Sequence, residues 1–337
     1  MKVVIAEKPS VARDLPRVMA AKDEKTGYIA GNGYAFTYAF GHLVQLCTPQ
    51  AYGFTNWAIS NLPIIPQEFK LEAKKVKKDG KQIDDAGAIK QLNTIKRLLD
   101  EAEEIIVATD AGREGELIFR NIYRFLNAQV PFKRLWISSQ TDKAIKDGFA
   151  NLKEGTEYDS LYMSARSRSE SDWLIGINAT QALTLAAGNK GLLSLGRVQT
   201  PTLAMICSRY IENKDFKPQA FYKIQAGFEK DQIKFKATSN KIDKKEDAEQ
   251  AISKIVVGSN ARVVNIEAKE TKEPPPLLFD LTSLQQDANK KFGFSADQTL
   301  SIAQTLYEKK VITYPRTGSR YIGEDVFENI HDLFKHL

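Results

Sequence analysis

The sequence predicts a multi-domain chain, an α/β segment followed by α+β segments, and three observations predict it. Strand-like apolar runs alternate with helical periodicity through the first ~150 residues. The pattern turns wholly helical from Tyr158 to Thr184. Alternating segments around Tyr222 to Ala237 then read as antiparallel strands with one wet face, ahead of a proline-rich break at Thr271 to Pro276. The length of 337 residues agrees, because single cores rarely grow past ~250–300 residues.

Taken in order, Lys2 to Ala6 is an apolar, β-branched strand ending at Glu7-Lys8-Pro9-Ser10, and Pro9 suits the first position of a following helix. Glu7 and Lys8 read as strand-end chemistry or as a surface ion pair. Asn32-Gly33 marks a hairpin, with Tyr34, Phe36, Tyr38 and Phe40 alternating behind it. His42 reads as a phosphate contact or as a satisfied structural residue. Lys70 to Lys81 holds six Lys against Glu72 and Asp79 without apolar periodicity, and is expected to be a mobile loop. Ile89, Leu92, Ile95, Leu98 and Leu99 mark an amphipathic helix.

The stretch Glu104-Glu-Ile-Ile-Val-Ala-Thr-Asp110-Ala-Gly-Arg113-Glu114-Gly-Glu116 is central. It reads as strand, acidic turn and helix, placing Asp110 and Glu114 at a strand's carboxyl end, where ligands bind in open α/β sheets. Two carboxylates four apart can converge on one divalent cation, or can decorate a solvated first turn. A strand at Leu135-Trp-Ile137 follows, then a helix with Thr141 as N-cap.

Farther on, Arg168 and Asp172 stand one helical turn apart, spacing that permits an ion pair. Gly196-Arg197-Val-Gln199-Thr200-Pro201 reads as a capped helix start, with Thr200 as N-cap and Pro201 at the first position, or as a phosphate cradle. A helix near Glu246 to Ile255 and a strand near Arg262 to Ile266 precede the proline linker. Beyond it, Ser295-Ala-Asp-Gln298 is a capping box, and its helix empties into a strand at Val311-Ile-Thr-Tyr314-Pro315-Arg316. Two helices and a strand suggest a winged-helix-like module; Tyr314 and Arg316 alone also read as a buried tyrosine with a surface arginine.

Composition narrows the function classes. Lys plus Arg total 48 against 42 Asp plus Glu, a net charge of +6, and the pI near 9.0 favours a polyanionic partner. Two distant cysteines and three histidines argue against a disulfide framework or a Cys/His zinc site. The opening residues are too short for a secretory h-region, so a cytoplasmic location is the expectation.

Together, Glu7-Lys8-Pro9-Ser10, Thr109-Asp110-Ala-Gly112-Arg113-Glu114-Gly115-Glu116, Ser164 to Asn178, Leu195 to Pro201 and Ile312 to Thr317 resemble type IA DNA topoisomerases, nearest the bacterial topoisomerase III branch. The resemblance implies a Toprim parallel α/β domain over residues 1–153 and a helical DNA-binding gate-base segment over 154–217. It implies a strand-rich arch segment over 218–273 and an incomplete winged-helix-like domain with the nucleophilic tyrosine over 274–337. It further implies cleavage and rejoining of single-stranded DNA through a 5′-phosphotyrosine, relaxing negative supercoils or decatenating DNA. Tyr314 is then the nucleophile, Lys8 and Arg316 the cations on the phosphoryl oxygens, and Glu7 the general acid. Asp110 and Glu114, with Glu7, are the implied Mg²⁺ ligands. Arg168, Arg197, Gln199, His42 and Asp172 are the implied DNA-binding residues. A monomer associated with nucleoid or plasmid DNA is the expected setting, with no membrane partner.

Two departures from the family pattern stand out. Gly112 stands at the motif's third position, where the family usually places an acid, so one metal ligand is missing and its place falls to Glu7, Glu116 or water. Family members also run well beyond the tyrosine, so the sequence reads as part of a longer protein or as a truncated homologue, and its ring is not expected to close. The competing readings are an inactive DNA-binding remnant and a Toprim nuclease or primase, neither of which needs Tyr314.

Overall fold

The computed structural model describes residues 1–78, 80–137, 141–309, 311–328 and 330–335. They form two compact units, residues 1–199 with 276–337, and residues 200–275.

The first unit is built on a seven-stranded sheet. In chain order it contains β1 (Lys2–Ala6), α1 (Val11–Val18), β2 (Asp23–Lys25), β3 (Tyr28–Gly31), β4 (Tyr34–Tyr38), β5 (Val44–Leu46), β6 (Leu71–Ala73), β7 (Lys75–Lys78) and β8 (Lys81–Asp84). Then come α2 (Ala86–Asp100), β9 (Glu104–Ala108), α3 (Arg113–Phe125), β10 (Phe132–Arg134), α4 (Asp142–Ala150), β11 (Lys153–Glu154) and the long α5 (Asp159–Ala186). The strand order is β11-β10-β9-β1-β4-β3-β2. Its centre, β10-β9-β1-β4, is parallel throughout, flanked by antiparallel edges.

Burial on both faces explains the unbroken apolar runs of β1 and β9. Val3, Ile5, Ile105 and Val107 pack with Leu92, Ile95 and Leu98 of α2 and with Ile118, Phe119 and Ile122 of α3. Val4, Ala6, Ile106 and Ala108 pack on the opposite face with Val11 and Leu15 of α1 and Ile145 of α4. Ala6 of β1 lies opposite Ala108 of β9. Their adjacent carboxyl ends deliver Glu7 and Asp110 to one edge.

Several local expectations need correction. The mobile loop expected over 70–81 is instead β6 and most of a two-stranded β7–β8 arm, with Lys75 opposite Asp84 and Val76 opposite Ile83; Asp79 lies outside the described residues. The period-two pairing of Val76 with Ile83 was hidden by lysine. The strand expected at Leu135 to Ile137 sits three residues earlier, although the Leu135 amide still donates to the Val107 carbonyl at 2.9 Å.

The second unit opens on α6 (Gln199–Lys214), which starts ahead of the expected Thr200 cap. It holds the antiparallel pair β12 (Gln225–Lys230) and β13 (Ile233–Thr238), then α7 (Lys245–Ser253). The strand expected at Arg262 to Ile266 does not form; among the described residues no strand pairs with it, and Val264 is 87 % exposed. Back in the first unit, α8 (Leu281–Phe292) and α9 (Ala296–Glu308) both open with capping boxes, at Asp280/Ser283 and Ser295/Gln298. The short α10 (Glu324–Phe327) and α11 (Ile330–Phe334) follow. No strand forms over 311–314, and among the described residues none pairs with this segment. Among the described residues no helix is long and apolar enough to cross a membrane.

Candidate active site

The β1 and β9 ends meet through Glu7, whose Oε2 accepts the Asp110 amide at 3.2 Å. Burial, followed by the neighbouring Asp110 charge, raises the Glu7 carboxyl above the ordinary glutamate range. Lys8 bridges two distant segments. Its ammonium donates to Asp110 Oδ2 at 3.0 Å and to the Tyr314 hydroxyl at 3.1 Å, and lies 4.3 Å from the Tyr314 ring centre. Burial pushes the Lys8 pKa down, but the Tyr314 hydrogen bond and the Asp110 carboxylate outweigh it and leave the ammonium above its ordinary value.

Tyr314 is further seated by Tyr307 of α9, an edge-on ring 5.3 Å away. Burial, the largest effect, pushes the Tyr307 phenol up to about 12. Sequence reasoning passed over Tyr307 because a tyrosine at helical spacing reads as packing. His42 Nε2 and Glu114 Oε1 lie 2.6 Å apart, so His42 joins the acidic turn. Thus Glu7, Lys8, Asp110 and Tyr314 assemble directly, with His42 and Glu114 as a second pair.

The remaining candidates form other contacts. Arg197 grips Asp172 bidentately, Nε to Oδ1 at 2.6 Å and Nη2 to Oδ2 at 3.1 Å, and this hydrogen bonding holds the Asp172 carboxyl below its usual range. Asp172 therefore pairs across the loop with Arg197, while Arg168, the partner its spacing allowed, stays exposed. Gln199 donates to Ser194 Oγ at 2.7 Å. Arg316 is exposed beside the buried Pro315 and makes no ion pair with the described residues.

The acidic turn is held from beneath by a residue the sequence did not single out. Arg134, 1 % exposed, donates to the carbonyls of Val107 (2.8 Å), Thr109 (2.8 Å), Leu135 (3.1 Å) and Asp110 (2.7 Å). Its Nε lies 3.2 Å from Glu116 Oε2, a charge contact whose angle falls short of a hydrogen bond. Glu116, also 1 % exposed, accepts from Arg120 Nε at 2.9 Å. Burial, partly offset by Glu116, lowers the Arg134 pKa. Glu116 therefore anchors the turn and is not available to a cation. Gly115 completes the packing, because a Cβ there would collide with the Asp110 carbonyl. A Cβ at Gly112, where the backbone is extended, would meet nothing within 4 Å.

Among the described residues no three His, Cys, Asp or Glu side chains converge as a metal cage. The donor chemistry still fits Mg²⁺, which takes one or two carboxylates and keeps several waters. Asp110 Oδ1, Glu114 Oε2 and Glu7 Oε1 are hard oxygens that bond no described residue, while their companion oxygens hold Lys8, His42 and the Asp110 amide.

A family profile described as DNA topoisomerase matches residues 156–337, and one described as Toprim domain matches residues 2–140. The chain belongs to the type IA DNA topoisomerase family. It is 49 % identical over 338 residues to DNA topoisomerase 3 of Bacillus cereus, covering 99 % of this chain and 45 % of that protein. DNA topoisomerase 3 of Bacillus subtilis is 46 % identical over 340 residues, with the same shares covered. The chain thus spans a little under half the length of these curated relatives. The full-length topoisomerase I of Thermotoga maritima shares the fold, with a TM-score of 0.64 and 24 % identity over 99 % of this chain and 52 % of that one. In this type IA chain the Toprim match ends at residue 140, so it contains both β-strand ends that carry Glu7 and Asp110.

Proposed function

We propose that the chain performs the strand-cutting and rejoining chemistry of a type IA topoisomerase on single-stranded DNA. The observation that carries this reading is the Lys8 ammonium, which bonds a strand-end carboxylate and the Tyr314 hydroxyl, 306 residues away, at the same time. A Toprim nuclease would need only the carboxylates.

In the forward step the Tyr314 oxygen attacks a backbone phosphorus, the phosphorus–O3′ bond breaks, and a 5′-phosphotyrosine and a 3′-hydroxyl result. The phenolic proton passes to solvent water while Lys8 stabilises the phenolate, and Lys8 with Arg316 faces the charge on the phosphoryl oxygens. Glu7, whose carboxyl is raised by burial above the ordinary glutamate range, gives its proton to the leaving O3′ and takes it back on rejoining. Phosphodiester energy stays in the phosphotyrosine bond, so resealing needs no nucleotide. Asp110, Glu114 and Glu7 would hold Mg²⁺, which when bound supplies positive charge to position the DNA backbone for rejoining. Arg168, Arg197, Gln199, His42 and Asp172 serve DNA binding, with the Arg197–Asp172 pair opening to release a guanidinium for phosphate.

On this reading residues 1–153 are the Toprim domain, 154–217 the helical gate base, 218–273 the arch segment and 274–337 the tyrosine domain. The working substrates are negatively supercoiled or catenated DNA, handled by a cytoplasmic monomer near nucleoid or plasmid DNA. The test is incubation of end-labelled single-stranded DNA with the chain and Mg²⁺, followed by denaturation. A label retained on protein through the DNA 5′ end, and lost in Tyr314→Phe, is expected. Cleavage that survives Tyr314→Phe identifies a nuclease and overturns the reading.

A further inference from the structure

The β7–β8 arm stands outside the chemistry just described. Its base is tied down: the Lys74 amide donates to the Leu43 carbonyl, the Asp85 amide to the Lys74 carbonyl, each at 2.9 Å, and the Lys75 amide to Gln45 Oε1 at 3.3 Å. That base adjoins His42, the residue paired with Glu114. Beyond it, the main-chain hydrogen bonds of the two strands among the described residues run only from one to the other. A lone two-stranded ribbon is marginally stable, so its composition is not explained by packing.

Its cations are the informative feature. Lys75 is neutralised by Glu72 at 2.7 Å, but Lys74, Lys77 and Lys78 form no ion pair with the described residues. Lys77 and Lys78 are both exposed, and as neighbours in a strand they project to opposite faces of the ribbon. A ribbon charged on both faces matches a partner with an anionic wall on each side. The major groove of duplex DNA, ~12 Å wide between two phosphate backbones, admits a two-stranded β-ribbon. Single-stranded DNA offers one backbone and uses only one face.

We propose that the β7–β8 arm is a docking element for duplex DNA, inserted between the two backbones with Lys77 on one and Lys78 on the other. It rests on the DNA-processing reading above and adds to it a duplex contact separate from the single-strand cut. Lysine acts here as a point charge, so the contact is independent of sequence.

The test measures binding of the full chain, in chelator, to a blunt duplex of about twenty base pairs and to a single strand of equal length, over roughly 50 to 200 mM salt. Each lost duplex phosphate contact flattens the log–log salt slope by ~0.9, so Lys77→Gln/Lys78→Gln should flatten it by about 1.8. Wild type then loses about twelvefold more duplex affinity than the variant across that salt range. The single-strand slope and the Tyr314 adduct yield stay unchanged, and Lys77→Arg/Lys78→Arg keeps the wild-type duplex slope. An unchanged duplex slope, or an equal change on single strand, overturns the proposal. Absence of adduct in wild type, with the duplex slope still altered in the Gln variant, overturns the cleavage reading and leaves the arm's assignment standing.

Discussion

The two sides of the acidic turn are built from the same short run of residues and behave in opposite ways. On the sheet side, Glu116, Gly115 and Arg134 are packed without room for an added atom. On the solvent side, Asp110, Gly112 and Glu114 have spare oxygens and open space. A motif rich in acids is therefore two devices back to back, a foundation whose charges are cancelled and a working face whose charges are available. The difference teaches that counting carboxylates in such a run overstates the ligands it can offer.

Breaking the foundation should have the largest effect. Arg134→Met takes one of the two cations from buried Glu116, leaving Arg120 alone with it, and strips the donor from four carbonyls, so denaturant unfolding should show a loss of about 3–5 kcal/mol. Adding Glu116→Gln should restore part of it by removing the under-compensated buried charge, and a single-variant loss below about 1 kcal/mol would contradict the contrast. Gly115→Ala comes next. Helix propensity favours the alanine, yet the clash with the Asp110 carbonyl should make it destabilising by about 1–3 kcal/mol in the same assay.

Changes on the working face should leave stability within about 0.5 kcal/mol. Gly112→Asp adds a carboxylate in free space, and calorimetric titration should show Mg²⁺ binding tighter by about tenfold, or 1.4 kcal/mol. Unaltered affinity would mean that position 112 does not face the cation. The smallest effect concerns Glu7. Its folded pKa lies above the unfolded one, so its contribution to stability is full below the unfolded value and is lost as pH rises through the folded value. Glu7→Gln should remove that slope and gain on wild type toward neutral pH, by about 1 kcal/mol or less. A variant that loses ground as pH rises would reverse the assigned direction.

The foundation and the face also differed in how far the sequence revealed them. Asp110, Glu114 and Glu7 stood out by their place after apolar strand runs, whereas Lys8 and Tyr314 were singled out only by the resemblance to type IA topoisomerases. Arg134 was not, since its partners are backbone carbonyls brought near by the β9–β10 pairing, and Glu116 looked like one more available acid. In the fold, β1, β9 and α3 were readable from strong periodicity and burial on both sides. The β-branched runs at Arg262 to Ile266 and Val311 to Tyr314 looked like strands, but propensity without a neighbouring edge does not make one. The β7–β8 arm failed the other way, its register obscured by lysine.

Arg134 has a consequence for how this site can change over generations. By taking the carbonyls of Val107, Thr109 and Asp110, it removes those three oxygens from contention as cation ligands. An ion arriving at this edge relies chiefly on side chains. Its grip is then set residue by residue, and a single codon at position 112 can strengthen or relax it while the scaffold beneath is inherited unaltered.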